Sequence, residues 1–460
     1  MEEICLEIKR EMSCDVLVVG GGVAGISAAV TAGEAGADVI LAERDGCLGG
    51  TASAGLVGPF MSSFDPQGKE QVIKGFLDRF IRRMVDKGGA IHPGLCHGGD
   101  SYSAYRINGH IGVTPFEPEC LKETAEEFCE EAGVRVLYHM LLCRCETEEG
   151  MIRRAFFATK NGIVAVRAKC FVDCTGDADL SVLAGAPTVY GDENGKTQVS
   201  SLFFIIEGVD RERLDAFIAQ YPEDTCKRQR YLEDVVEKGI ADGSFPCGRR
   251  RVSAFESLFG RWRINMTQFD EKADLVDPED VTRAEIACRK QIRPMIAFLK
   301  KNVPGFENIR LLYSANTLGI RESRRIIGEY VLTVEDLACG RQFEDRICLT
   351  GNAVDFHGVS KPDGSYDGAY YVTGRKSASI PFRALLPKNT YNLVAAGRCL
   401  SADQPAHSAV RVMPPCCAMG QAAGEAAAMA VKSGKSLRKL DISELQARLI
   451  WGGAVLQLSE

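Results

Sequence analysis

The run Asp15-Val16-Leu17-Val18-Val19 passes directly into Gly20, Gly22 and Gly25, and small residues at helical spacing follow to about Gly36. A second apolar run, 38–43, closes on Glu43. Strand, glycine turn, helix and strand in that order make a β-α-β unit, the first unit of a parallel sheet. Each glycine answers one constraint: a tight turn, a close backbone approach to a pyrophosphate, and tight packing of helix on strand. The helix N-terminus brings unpaired N–H groups and partial positive charge to the phosphates. A carboxylate at position 43 accepts hydrogen bonds from ribose hydroxyls and disfavours a 2′-phosphate. The spacing therefore predicts a dinucleotide site.

A length of 460 residues suits two domains. Hydrophobic residues at 45% and charged residues at 25% are the balance of a globular protein. The net charge of −7 disfavours nucleic acid as a partner, and the longest basic run is Arg249-Arg250-Arg251. That triplet reads as a solvated edge or a substrate contact. The N-terminal residues carry no apolar run before Cys14, and no stretch is long enough to cross a bilayer, so a cytoplasmic protein with no membrane partner is expected. The oligomeric state is left open. There are 18 cysteines but no CxxC pair, so they read as reduced, buried small hydrophobes, and no metal site is expected.

The pattern predicts an α/β fold: a Rossmann-type dinucleotide-binding domain with parallel sheet and β-meander, plus an inserted α+β substrate or cap domain. The first is assigned to 14–190 and 381–460, the second to 191–380. Residues 61–113 hold a predicted helix (68–89) and then a Gly, His and Ser-rich stretch, together a lid or binding-loop insertion. A helix at 118–133 leads into a single predicted strand over 134–146. Strands over 151–168 turn at Lys160-Asn161-Gly162. A further strand at 169–174 runs into Thr175-Gly176-Asp177. In the later half, strands are expected at 198–208, 261–269 and 391–397, and helices at 278–305 and 415–432.

The stretch after Glu43 separates two kinds of dinucleotide. Gly49-Gly50-Thr51-Ala52-Ser53-Ala54-Gly55 is a run of small residues against which a bulky ring can lie. It resembles the loop beside the isoalloxazine in FAD-binding two-segment flavoproteins. Disulfide reductases of that superfamily carry a redox cysteine after the paired glycines. Here Thr51, Ala52 and Ser53 stand instead, and Cys47 has no partner at useful spacing.

Later segments narrow the resemblance. Val172-Asp173-Cys174-Thr175-Gly176-Asp177-Ala178-Asp179, Leu318-Gly319-Ile320-Arg321-Glu322-Ser323-Arg324-Arg325-Ile326, Ala396-Gly397-Arg398-Cys399-Leu400-Ser401 and Arg411-Val412-Met413-Pro414 look like signatures of one family. It is the FAD-dependent oxidoreductase family related to the flavin subunit of heterodisulfide reductase, and the likeness runs from about residue 14 to 435. The resemblance implies FAD as cofactor. It implies that Gly20, Gly22, Val23, Ala24, Gly25, Glu43 and Arg44 hold the AMP half and the pyrophosphate. Gly49, Gly50 and Thr51 would sit near the flavin, and Leu142 would meet adenine through its backbone. Thr175, Gly176 and Asp177 would border the cofactor, with Gly397 and Arg398 reaching the ribityl and pyrophosphate region. Cys174 stands where alanine is common, and the iron–sulfur cysteine motifs of the heterodisulfide reductase subunit are absent.

The helix starting near Met413-Pro414-Pro415 is expected to point its free N–H groups at the flavin, since proline suits a first turn. Such an end favours the anionic reduced ring. Candidates for proton transfer or substrate contact are His407, Arg411 and His357. Arg321 and Arg324, placed three apart on one helical face, could grip a carboxylate or pair with Glu322 or Glu329. Tyr370 and Tyr371 could line a pocket or pack. The expected activity moves a hydride between flavin N5 and a small organic substrate, anionic if the arginines grip it. The alternatives are a flavin electron-transfer subunit with an iron–sulfur partner protein, and a non-catalytic nucleotide binder. With one G-x-G-x-x-G, a dedicated NAD(P)H domain is missing.

Overall fold

Strands β1 (Ile8–Val19), β2 (Val39–Ala42), β3 (Arg135–Leu137), β4 (Leu141–Glu148), β5 (Met151–Thr159) and β6 (Gly162–Asp173) lie side by side in the order β3-β2-β1-β6-β5-β4. This is a computed structural model, and it describes residues 7–107, 109–221, 231–358 and 376–458. Tyr370 and Tyr371 lie outside the described residues.

β1, β2, β3 and β6 are mutually parallel, while β5 and β4 form an antiparallel meander on one edge. Val16, Leu17 and Val18 are fully buried because helices or strands cover both faces of the sheet there. β1 starts earlier than its apolar run. Its charged first half, Ile8–Ser13, pairs with residues 163–167 at the exposed end of the sheet, where polar side chains meet water.

Two expectations change. The strand expected over 134–146 is two strands on opposite edges of the sheet. The chain breaks at His139, whose φ is 58°, and the amides of His139 and Met140 donate to the Asp45 and Glu43 carbonyls. The strand expected at 169–174 is the second half of β6. That half trades β5 for the strand Leu393–Ala395, which runs parallel to Phe171–Asp173 and returns the distant C-terminal segment to the first sheet.

Helix α1 (Val23–Glu34) follows the glycine turn, and the helix Met413–Ser433 packs along it. A Cβ at Gly420 would lie 2.1 Å from Ala24 O, and one at Gly424 would lie 2.1 Å from Ala28 O. Only glycine permits this approach, which lays the two helices parallel with both N-termini toward the same end.

A second apolar core gathers residues 202–318 with Leu56 and Tyr105. It holds the antiparallel strands Arg310–Ser314, Phe204–Glu207, Trp262–Asn265 and Ser253–Glu256, backed by the helix Pro278–Asn302. Asp277 caps that helix by accepting from the Glu279 and Asp280 amides, and Ala284, Cys288, Ile292, Met295 and Leu299 form its buried stripe. Leu332, Leu337, Ile347, Leu349 and Ile380 pack instead into the first core. No helix among the described residues is long and apolar enough to cross a membrane.

Candidate functional site

The glycine turn is held by its surroundings. Gly20 donates to Ala42 O, Gly49 donates to Gly21 O, and the Glu43 carboxylate accepts from the Gly21 and Asp45 amides. Burial raises the Glu43 carboxyl above its ordinary value. A Cβ at Gly25 would strike Gly20 O at 1.8 Å, so this glycine serves helix-to-strand packing, whereas a Cβ at Gly22 would meet nothing within 4 Å. Gly22 faces open space.

That space is a cavity of about 360 Å³ running from the turn to the second core. Gly20, Gly22, Val23, Ala24, Glu43, Arg44, Leu142, Thr175, Gly176 and Asp177 line one end. Gly50, Thr51, Gly397, Arg398, Met413 and Cys416 line the middle. Arg321, His357 and Arg411 stand at the far end with Ser201, Arg249, Arg251, Asn265 and Asp355. Gly25, Gly49, Pro414, His407 and Arg324 are not on the wall.

Neither α1 nor the helix Met413–Ser433 has a side-chain cap or an acid in its first turn, and the first turns of both line the cavity. Their orphan amides and dipoles face it uncompensated. This suits a diphosphate at α1 and an electron-rich ring edge at Met413. Each Glu43 oxygen carries one backbone N–H and keeps acceptor capacity for ribose hydroxyls. The wall residues therefore fit a flavin dinucleotide.

Arg398 reaches across to Asp177 at 2.8 Å, and Ser323 donates to the same carboxylate. Burial alone would raise the Asp177 carboxyl, but Arg398 holds it below its ordinary range. The pair fixes the segment 175–177 against 397–398. Cys174 and Cys416 are also on the wall, and burial pushes the Cys416 thiol up to about 12, so it stays protonated.

A family model described as FAD dependent oxidoreductase matches residues 15–449. The chain belongs to that family. This flavoprotein is thus an FAD-dependent oxidoreductase, and FAD is its cofactor. Its fold is similar to a geranylgeranyl bacteriochlorophyll reductase-like protein from Thermoplasma acidophilum, at 14% identity over 98% of this chain and 89% of that one, TM-score 0.47. It is also similar to p-nitrophenol 4-monooxygenase from Pseudomonas putida DLL-E4 (13%, 98% and 90%, TM-score 0.47) and to L-proline dehydrogenase from P. horikoshii (12%, 97% and 100%, TM-score 0.45). No curated protein sequence matches the chain.

The expected site residues separate in this flavoprotein. His407 is fully buried and donates from Nε2 to Arg398 O at 2.7 Å, while Nδ1 has no hydrogen-bond partner among the described residues. Burial, with Arg325 and Arg411 nearby, holds its imidazole well below its ordinary value and keeps it neutral. Arg321 and Arg324 share no helix. Residue 321 is irregular and 324 begins the strand Arg324–Ile326, so the side chains diverge. Arg324 binds Asp179 and the Asp177 carbonyl, while Arg321 donates to Val199 O at 2.6 Å on the cavity wall. Glu322 pairs with Arg325 and Glu329 with Arg438.

Arg411 donates to Gln198 Oε1 at 3.2 Å, and the His357 amide uses the same oxygen. His357 Nε2 donates to Asp355 at 3.0 Å. Burial pushes the His357 imidazole down to about 3 despite that carboxylate, with Arg321 and Arg411 adding repulsion. Gln198, Asn265 and Asp355 carried no motif in the sequence. The triplet at 249–251 was the one signal of the basic wall.

Proposed function

We propose that this oxidoreductase moves a hydride between flavin N5 and a small organic substrate held under the 202–318 core, a cap within the 191–380 segment. The observation that carries the reading is continuity: the glycine turn and the cap-side residues Arg411, His357 and Arg321 line one cavity. A substrate entering from the cap reaches the middle of that cavity without leaving it.

Bound FAD supplies a two-electron acceptor or donor. The chain supplies the rest. The first turn at Met413 faces the middle of the cavity with uncapped amides, an environment that favours negative charge on what lies there. Arg411 precedes that turn and stands between the flavin-facing helix and the cap, where it orients the substrate. His357, neutral and held by Asp355, is placed to accept a proton from substrate. His407 positions Arg398 through its carbonyl and touches nothing in the cavity. The signatures at 172–179 and 318–326 support the finer kinship with the flavin subunit of heterodisulfide reductase.

The experiment is an anaerobic screen of small-molecule donors and acceptors on the yellow, purified protein, read at the visible flavin band. Bleaching or reoxidation by a small molecule alone is the expected result. Electron exchange only with an added iron–sulfur protein would overturn the reading in favour of an electron-transfer subunit.

A further inference from the structure

The described residues of the stretch 96–112 fold into a closed loop that hydride transfer at His357 leaves unused. The Gly112 amide donates to Cys96 O at 2.7 Å and the Gly99 amide to Arg106 O at 3.1 Å, so the two limbs of the loop meet. The cap holds it in place. The Glu256 amide donates to Ser101 O at 3.0 Å, Tyr105 donates to Asp215 at 2.8 Å, and Arg106 pairs with Glu233 at 2.6 Å. Arg106, Gly109 and His110 of this loop line the cavity. A loop pinned to a scaffold in this way can carry binding residues at fixed positions.

His110 is fixed within the loop. Its Nδ1 lies 2.8 Å from Ser103 O, and its ring stacks on Phe255 with centroids 5.7 Å apart and planes at 24°. A carbonyl oxygen only accepts, so the proton of the neutral ring sits on Nδ1 and the lone pair on Nε2. Burial, with Arg106 adding repulsion and Asp355 opposing it, pushes the imidazole down to about 4 and keeps it neutral. Nε2 has no hydrogen-bond partner among the described residues and is not sealed off from solvent.

His357 presents the same kind of group on the same cavity. Its Nε2–H goes to Asp355 at 3.0 Å, which leaves the lone pair on Nδ1. The two rings are backed differently. A carboxylate behind His357 favours its protonated form and suits a base, whereas the neutral carbonyl behind His110 suits an acceptor that stays unprotonated. Phe203 and Phe255 add apolar wall from the cap. A few fixed polar groups on an apolar surface make a small-molecule site, and an acceptor left without its donor rejects ligands that lack one.

We propose that His110 is a substrate-binding residue whose Nε2 accepts a hydrogen bond from a hydroxyl or amino group of the substrate, distinct from the group whose proton goes to His357. The substrate is then a small molecule with an apolar body and two O–H or N–H groups. This deepens the proposed hydride transfer and rests on it only in taking the cap-side end as the substrate end. A ring serving only to brace the loop would need Nδ1 alone.

The test treats the flavin-loaded protein with diethyl pyrocarbonate, which acylates the lone-pair nitrogen of a neutral imidazole, and locates the product by peptide mass. His110 is expected to react at a rate unchanged between pH 7.5 and 5.5, where an ordinary imidazole slows about 10-fold. Catechol, with an apolar ring and two hydroxyls, should protect His110, and veratrole, its dimethyl ether with no donor, should not. Catechol affinity, read by calorimetry, should fall roughly 5-fold in His110→Asn, whose amide N–H still reaches Ser103 O while nothing stands in place of Nε2. His110→Gln, with an amide oxygen at that place, should recover part of the loss. No acylation of His110, a rate that falls with pH, equal protection by both compounds or by neither, or unchanged catechol affinity in His110→Asn overturns the contact. Acylation and protection are read on the native chain, so they decide the matter even where a variant does not fold. Protection with the expected loss, in a protein whose flavin no small molecule bleaches or reoxidises, would sink hydride transfer and leave the contact standing. Bleaching by a small donor with His110 unreactive would do the reverse.

Discussion

Arg249 and Arg321 donate to one atom, Oδ1 of Asn265, at 2.8 and 3.5 Å. The shared acceptor is a neutral amide oxygen on the cavity wall. Asn265→Asp, of nearly identical shape, would place a carboxylate against both guanidiniums. We expect it to raise stability by about 1–3 kcal/mol and to lower turnover at least ~10-fold. Thermal unfolding and steady-state rates check both signs together, and a destabilised variant would contradict the expected charge-assisted pairing.

Glycines 22 and 420 should fail differently. At Gly22 a side chain meets open cavity, so Gly22→Val should fold normally and lose the flavin band. At Gly420 a Cβ collides with the Ala24 carbonyl. Gly420→Ala should cost about 1–3 kcal/mol of stability as the helices part. The comparison needs only absorbance spectra and melting curves of the two apoproteins.

His407 and Arg411 separate in the same manner. Arg411→Ala should keep bound flavin and lose turnover, because its side chain faces the cavity. His407→Ala removes a buried donor to Arg398 O and should destabilise the fold by about 1–3 kcal/mol. His407→Gln, which retains a donor, should recover most of that. Full activity in Arg411→Ala would remove the residue from the site.

Acid should weaken this protein through its histidines before its carboxylates. Burial holds His357 near about 3, His110 near about 4 and His407 well below its ordinary value. In the unfolded chain each titrates near ~6.5. The folded state therefore binds fewer protons below that pH. Stability from these groups is complete above it and is lost as pH falls toward the folded values. Each histidine contributes a slope of up to about 1.4 kcal/mol per pH unit. Melting temperatures between pH 7.5 and 5.5 should fall, and His110→Gln or His357→Asn should each flatten the slope by one share. An unchanged slope in both would mean these imidazoles are already charged when folded.

The nucleotide end was legible because its requirements are local. A turn, a helix start and an acid at the close of the next strand lie within one β-α-β unit, so Gly20, Gly22 and Glu43 could be read from spacing. The helix Met413–Ser433 was legible for a related reason: its proline start and its small residues both record close approach to another backbone. Where spacing was used beyond its range, it misled. A spacing of three from Arg321 to Arg324 implied a shared helical face, but no helix forms there and one side chain goes to the cavity while the other goes to Asp179. The strand over 134–146 looked continuous because hydrophobic runs carry no mark of a single left-handed residue such as His139.

From the chain order followed the dinucleotide turn and the long helices near 23–34, 118–131, 278–302 and 413–433, because each depends on neighbours a few residues away, while the cofactor class came from the resemblance of the small-residue loop at 49–55 to that of FAD-binding proteins. Tertiary structure alone decided which arginine faces the cavity, that His407 braces Arg398 instead of lining the wall, and that Gln198 and Asn265 tie the basic end together. Those outcomes depend on which carbonyls and amides distant segments happen to present to a buried guanidinium, and no periodicity encodes that.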